Sequence, residues 1–271
     1  MRFVAFALYV ASFGAYVWHF ARREAAVGRA ATTLLVAAAF AHTFLIGMQT
    51  MEIGHVPLAG TTSAISTFVW MLALAYLYTE MATEERAMGA LIVLLIVALL
   101  TIPTINPGVE DRAPVLDNPL FGIHVSSLLF AYASFAIACV IGITYVLLFK
   151  EIKAKHLGFF YARLPSLQVL DWMNQRAIVI GWVFLTIGLV VGAIWANQTL
   201  SDDPRVQAMQ LQDPKIFLAL VCWAVYSFEA FAARRIGWGG RRTAYLSAIG
   251  FAIVLLNFVP ISYFLTRSHN F

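Results

Sequence analysis

The chain has 271 residues, of which 61% are hydrophobic and only 12% charged, and its mean hydropathy is +0.80. A water-soluble domain of this length carries roughly a quarter charged residues, so the composition excludes one. The net charge of +4 is spread over short segments between apolar runs, which reads as topology signal and lipid-headgroup contact, not as a surface for nucleic acid.

A membrane-spanning helix needs about 20 mostly apolar residues. Eight segments meet this in chain order: 3–21, 30–50, 61–80, 88–106, 121–149, 175–198, 214–233 and 243–266. The predicted fold is therefore an all-α integral membrane protein, a single polytopic domain over 1–271 built as a bundle of about eight transmembrane helices. Arg22 and Arg23 follow the first run instead of preceding it, the order expected of a retained helix and not of a cleaved signal. The third run begins with Thr61, Thr62, Ser63 and Ser66, and the fourth is short and ends in Pro103 and Pro107. Gly188 and Gly192 form a G-x-x-x-G in the sixth, a device for close helix contact. Cys139 and Cys222 lie inside apolar runs with no C-x-x-C or C-x-x-C-H, so neither thiol redox chemistry nor covalent haem attachment to this chain is expected.

The cations orient the bundle. Eight spans place thirteen on one side (Arg22, Arg23, Arg29, Arg86, Lys150, Lys153, Lys155, Arg163, Arg176, Arg234, Arg235, Arg241, Arg242) and five on the other (Arg2, Arg112, Arg205, Lys215, Arg267). The positive-inside rule makes the richer side cytoplasmic. Both termini are then extracytoplasmic, the loop 150–174 is cytoplasmic, and the chain is a multi-pass protein of the inner or plasma membrane.

This orientation sorts the six histidines. His55, in the second-to-third connection, His124, near the start of the fifth span, and His269, after the eighth, fall at the outer face, and His42 lies beneath it within the second span. His19 beside Trp18 reads as an interfacial residue, and His156 as a solvated loop residue. An imidazole inside a span is costly without a partner and is a functional candidate by default. His124 and His269, at similar depth, suit axial ligation of a haem at the membrane surface; neither an H-E-x-x-H nor a cysteine cluster accompanies them, as a zinc site would require. Haem propionates need cationic partners, and Arg112, Arg205, Lys215 and Arg267 are the scarce positive charges of that face. Trp195, Tyr263 and Phe264 could pack a porphyrin or serve as interfacial anchors.

Several segments resemble the CcsA-type cytochrome c assembly proteins. Gly54-His55-Val56-Pro57-Leu58 looks like a G-H-x-P-L segment of that family, and His124 in HVSSLLFAYASF, with Tyr132 downstream, resembles its first external histidine. Leu164-Pro165-Ser166-Leu167, Leu170-Asp171 and Gly192-Ala193-Ile194-Trp195-Ala196 are similar to the subgroup that includes HemX. Asp213-Pro214-Lys215 with Trp223 and Tyr226, Gly240-Arg241-Arg242-Thr243-Ala244-Tyr245-Leu246-Ser247, and Ser268-His269 resemble the family's later elements, so the likeness covers roughly 40–270. Two features depart from it. Residues 198–212 read QTLSDDPRVQAMQLQ, without the family's tryptophans, and Phe231 or a neighbour stands where an intramembrane histidine is expected.

The resemblance implies non-covalent haem b held at the outer face between His124 and His269, with His42 and His55 assisting. Delivery would be to apocytochrome c or to other cytochrome c assembly proteins, an assembly role without bond-making by this chain. The alternative it implies is a HemX-like accessory protein of haem biosynthesis, acting through partners at the basic loop 150–176. A secondary transporter would show midplane charges or broken helices in repeats. Glu229, five residues before Arg234, reads instead as half of an interfacial ion pair.

Overall fold

No water reaches backbone amides and carbonyls inside lipid, so a segment that stays there must satisfy them internally, as a helix does. The computed structural model describes residues 1–58, 60–108, 118–155, 158–198 and 214–256, with the backbone alone for 214, 215, 233 and 234. These residues form eight helices: α1 Arg2–Arg22, α2 Ala25–Ile53, α3 Thr61–Thr83, α4 Gly89–Ile105, α5 Pro119–Lys153, α6 Leu167–Gln198, α7 Pro214–Arg235 and α8 Arg241–Leu256. Each corresponds to one apolar run of the sequence. Five of them (α1, α2, α3, α5, α6) are long and apolar enough to cross a membrane, while α4 and Ile216–Ala232 within α7 are shorter apolar helices. The protein is an all-α, multi-pass membrane protein.

Local chemistry sets the helix ends. Gly54 closes α2 in the left-handed region at φ 79°, where a side chain would be strained, and its N–H returns to the Thr50 carbonyl. Asn118 opens α5 by accepting the Leu120 N–H at 2.8 Å, with Pro119 in the first turn, where its missing N–H costs nothing. α6 begins eight residues before its apolar run does, at Leu167. That turn is polar because it is used: Asp171 accepts the Gly240 N–H at 2.7 Å and the Thr243 hydroxyl at 3.3 Å, and so caps the start of α8.

Successive helices run antiparallel. Ser12 of α1 donates to the Ala31 carbonyl of α2, while His19, farther along α1, lies against Gly28, nearer the start of α2. Across α6 and α7, Trp182 Nε1 donates to Ser227 Oγ at 2.7 Å and Trp223 Nε1 donates to Thr186 Oγ1 at 2.9 Å. α5 is the central helix, packed on α3, α6 and α8, and α1 packs on α2 and α4. Phe135 of α5 stacks on Tyr226 of α7 with ring centres 3.5 Å apart. Large apolar side chains that would form an aggregation-prone patch in water, Phe40 at 71% and Phe44 at 56% exposure among them, face outward as lipid would require. Two ends of the bundle are named below. The N-terminal end holds the start of α1, the α2–α3 connection and the start of α5. The basic end holds the start of α6 and the α7–α8 connection.

Gly142 shows how close α5 and α8 come, because a Cβ there would fall 2.7 Å from the Ala244 carbonyl oxygen, a backbone atom that cannot swing away. Gly122, on the same helix, has nothing within 4 Å of that position among the described residues. Gly142→Ala should therefore destabilise the purified protein by about 1–3 kcal/mol, and Gly122→Ala should leave it unchanged or slightly more stable. Thermal melting of both variants in one detergent checks the contrast.

Candidate functional site

The start of α5 carries His124 into a groove that α6 opens for it. A Cβ at Gly192 would fall 2.5 Å from two atoms of the His124 ring, so only glycine leaves room for the imidazole. One turn earlier on α6, the Gly188 carbonyl lies 2.7 Å from His124 Nδ1. A carbonyl oxygen only accepts, so Nδ1 carries the proton and donates it. The neutral ring then bears its lone pair on Nε2, which nothing among the described residues engages. A backbone carbonyl that fixes tautomer and ring orientation from behind is the usual support of a metal-ligating histidine. Aromatic rings flank the half-buried imidazole: Trp195 of α6 with its ring centre 6.5 Å from that of His124 at 30°, and Phe121 of α5 at 5.4 Å from Trp195. A polarised lone pair beside flat apolar rings can take a metal carried in an aromatic macrocycle.

The other predicted residues are distributed as follows. His55 is half-buried in the α2–α3 connection, and its Nδ1 donates to the Val56 carbonyl at 3.1 Å, so its lone pair is likewise on Nε2, which takes no hydrogen bond among the described residues. No contact among the described residues joins it to His124. His42 is fully buried, with Nε2 3.0 Å from Ser66 Oγ and Nδ1 3.4 Å from the Tyr9 hydroxyl. Both its nitrogens thus serve to tie α1, α2 and α3 together, a place apart from His124. Lys215 is in the first turn of α7, at the end of the bundle where Trp195 lies, and its side chain is not described. His269, Arg112, Arg205 and Arg267 lie outside the described residues, as do His156, Tyr263 and Phe264. Phe231 is 52% exposed and meets Trp182 edge-on, with ring centres 5.8 Å apart.

Two buried carboxylates at the basic end carry more structure than the sequence suggested. Glu80, at 2% exposure, accepts from the Tyr16 hydroxyl at 2.6 Å and from Thr32 Oγ1, and pairs with Arg86 at 3.6 Å. Glu80 closes the 61–80 run, where a carboxylate reads as a boundary residue; its partners come from three other segments, so no local pattern announces them. Glu229 is not interfacial. It is 1% exposed, and its Oε1 accepts from Ser247 Oγ at 2.7 Å, while Ser247 is itself bonded to Asn174 at 3.0 Å. Spacing along α7 pointed to Arg234, but residue 229 faces α8 across the bundle, which sequence separation cannot show.

Comparison with known proteins places these residues in context. The family model described as Cytochrome C assembly protein matches residues 2–270. The chain is similar to proteins named cytochrome c biogenesis protein CcsA. It is 28% identical to that of Guillardia theta over 249 residues, covering 84% of this chain and 81% of the relative. It is 25% identical to that of Trieres chinensis over 260 residues, with 84% and 81% covered. It is 26% identical to that of Chlorella vulgaris over 253 residues, with 81% and 78% covered.

The hydrogen bonds predict different reactivities for the histidines. Diethyl pyrocarbonate attacks an unprotonated ring nitrogen, so the folded protein should be modified at His55 and His124, whose Nε2 atoms are open, and not at His42. Peptide mass spectrometry before and after unfolding reads this directly; rapid modification of His42 in the folded protein would contradict the network described.

Proposed function

The chain belongs to the cytochrome C assembly protein family, and on that premise we propose that it acts in cytochrome c biogenesis by holding haem b non-covalently at the N-terminal end of the bundle for delivery to apocytochrome c. In this reading the N-terminal end is extracytoplasmic and the basic end cytoplasmic, as the uneven distribution of cations favours. His124 supplies one axial nitrogen and His269 the other. His55 lines the approach, while His42 assists from below by ordering the three helices around it.

The observation that carries this reading is the fixed tautomer of His124, whose Nδ1–H is spent on the Gly188 carbonyl, leaving Nε2 as the only nitrogen able to bind iron. Trp195 and Phe121, with ring centres 5.4 Å apart, would pack a porphyrin edge. Arg112, Arg205, Lys215 and Arg267 are the cations available to the propionates at that end. Haem is cargo here. The chain makes and breaks no bond in it, and with Cys139 and Cys222 both within helices, the thiol chemistry of covalent attachment falls to the apocytochrome and other assembly proteins.

Purified protein supplied with haem should show the Soret and α bands of a bis-imidazole complex. The double variant His124→Ala, His269→Ala should lose them. Gly192→Leu, which fills the groove and displaces the ring without removing it, should lower haem affinity by roughly ten- to a hundred-fold. A wild-type protein without these bands would overturn the proposal. So would a biogenesis phenotype that survives the double variant but is lost on changing the basic loop 150–176; that result would move the function to partners of the basic end.

A further inference from the structure

A cavity lies at the basic end of the bundle, away from His55 and His124. It has a volume of about 380 Å³ and is lined by Tyr78 of α3, Trp172, Gln175 and Arg176 of α6, Glu229 of α7 and Thr243 of α8, among others. That is more than ten times the space of a water molecule, roughly 30 Å³, and lies in the range of small-molecule sites.

Two ionisable side chains line it, and neither is spent on the other. Glu229 Oε1 accepts from Ser247, but Oε2 is buried with no hydrogen-bond partner among the described residues. A buried carboxyl oxygen left unpaired is costly, and in a membrane protein such a group marks a binding function by default. Arg176, at the exposed rim, is held with its guanidinium 4.0 Å from the Trp172 ring centre. No ion pair joins Arg176 to Glu229 among the described residues. The cavity thus offers a deep acceptor for a cation and a rim donor for an anion, and Trp172 and Tyr78 at its mouth are 40% and 50% exposed. Its lining comes from the basic-end halves of α3, α6, α7 and α8, reaching from Thr243 in the first turn of α8 to Ile180 in the fourth turn of α6.

We propose that this cavity binds a phosphoethanolamine zwitterion, the headgroup of phosphatidylethanolamine, with the primary ammonium donating to Glu229 and the phosphate accepting from Arg176. A primary ammonium carries N–H donors for the unpaired Oε2; a trimethylammonium carries none. The same chemistry is offered by the lipid and by soluble phosphoethanolamine, and the two are separable by experiment.

The test is native mass spectrometry of the full chain in mixed micelles of phosphatidylethanolamine, phosphatidylcholine and phosphatidylglycerol with identical acyl chains. The wild type should retain phosphatidylethanolamine at roughly ten-fold lower lipid concentration than phosphatidylcholine, the scale of one charge-assisted hydrogen bond. Glu229→Gln, which can keep the bond to Ser247, should erase that preference. Arg176→Gln should weaken both zwitterionic lipids alike. Displacement of the lipid by soluble phosphoethanolamine would identify the headgroup alone as the ligand, and its failure to displace would make the acyl chains part of it. Equal retention of phosphatidylethanolamine and phosphatidylcholine by the wild type, which requires no variant to fold, overturns the proposal, as does a preference that survives Glu229→Gln.

Discussion

Apolar surface gains nothing by leaving lipid tails for a neighbouring helix, so a bundle in a membrane is held by how closely its backbones approach and by the polar groups that meet between them. The contact between α5 and α6 meets this condition along most of its length. Gly181, Gly188 and Gly192 of α6 lie against Phe135, Leu128 and His124 of α5, and in each case a Cβ would intrude on the facing side chain. The rest of the bundle is assembled around that pair. α8 fits onto α5 at Gly142 and is capped by Asp171 of α6, and α7 is joined to α6 through Trp182 and Trp223. The orientation of His124 is a product of the same approach: the glycine that brings the helices together also exposes the carbonyl that fixes the ring.

Polar chemistry is divided between the two ends. At the N-terminal end His55 and His124 each spend an Nδ1–H on a backbone carbonyl, and their Nε2 atoms take no hydrogen bond among the described residues. At the basic end three acidic groups, Glu80, Asp171 and Glu229, are bonded to residues of other helices. Glu80 gathers α1, α2 and the segment before α4; Asp171 and Glu229 gather α6, α7 and α8. The second end is where the packing is specified.

Much of this was legible in the sequence. Apolar length alone located all eight helices, because lipid leaves a chain no other way to satisfy its backbone, and Gly188 and Gly192 announced a close contact. What that contact was for could not be read. The pairing of Gly192 with His124 depends on the antiparallel register of two helices separated by a loop, and register leaves no trace in either helix taken singly. The start of α6 was placed late because Asp171, Asn174 and Gln175 lower the apolar count there; each is polar for a partner on another element or turn. Glu229, read as half of an interfacial ion pair, is buried and takes a hydrogen bond from Ser247 of another helix. His42, read as assisting haem binding from within the second span, has both nitrogens occupied by Tyr9 and Ser66, contacts from helices on either side of it in the chain.

The partners of the two buried glutamates also set a timetable for biosynthesis. Everything that Glu80 needs (Tyr16, Thr32, Arg86) has been made before α4 begins, so the amino-terminal helices can close on one another while the ribosome is still extending the chain. Glu229 has no such early completion. Its hydrogen bond comes from Ser247, within the last helix, and the cap that Asp171 provides waits for Gly240. Until that last helix enters the bilayer, α6 and α7 hold polar groups in search of a partner, so a nascent chain stalled before residue 240 presents quality control with an unfinished carboxy-terminal half beside a finished amino-terminal one.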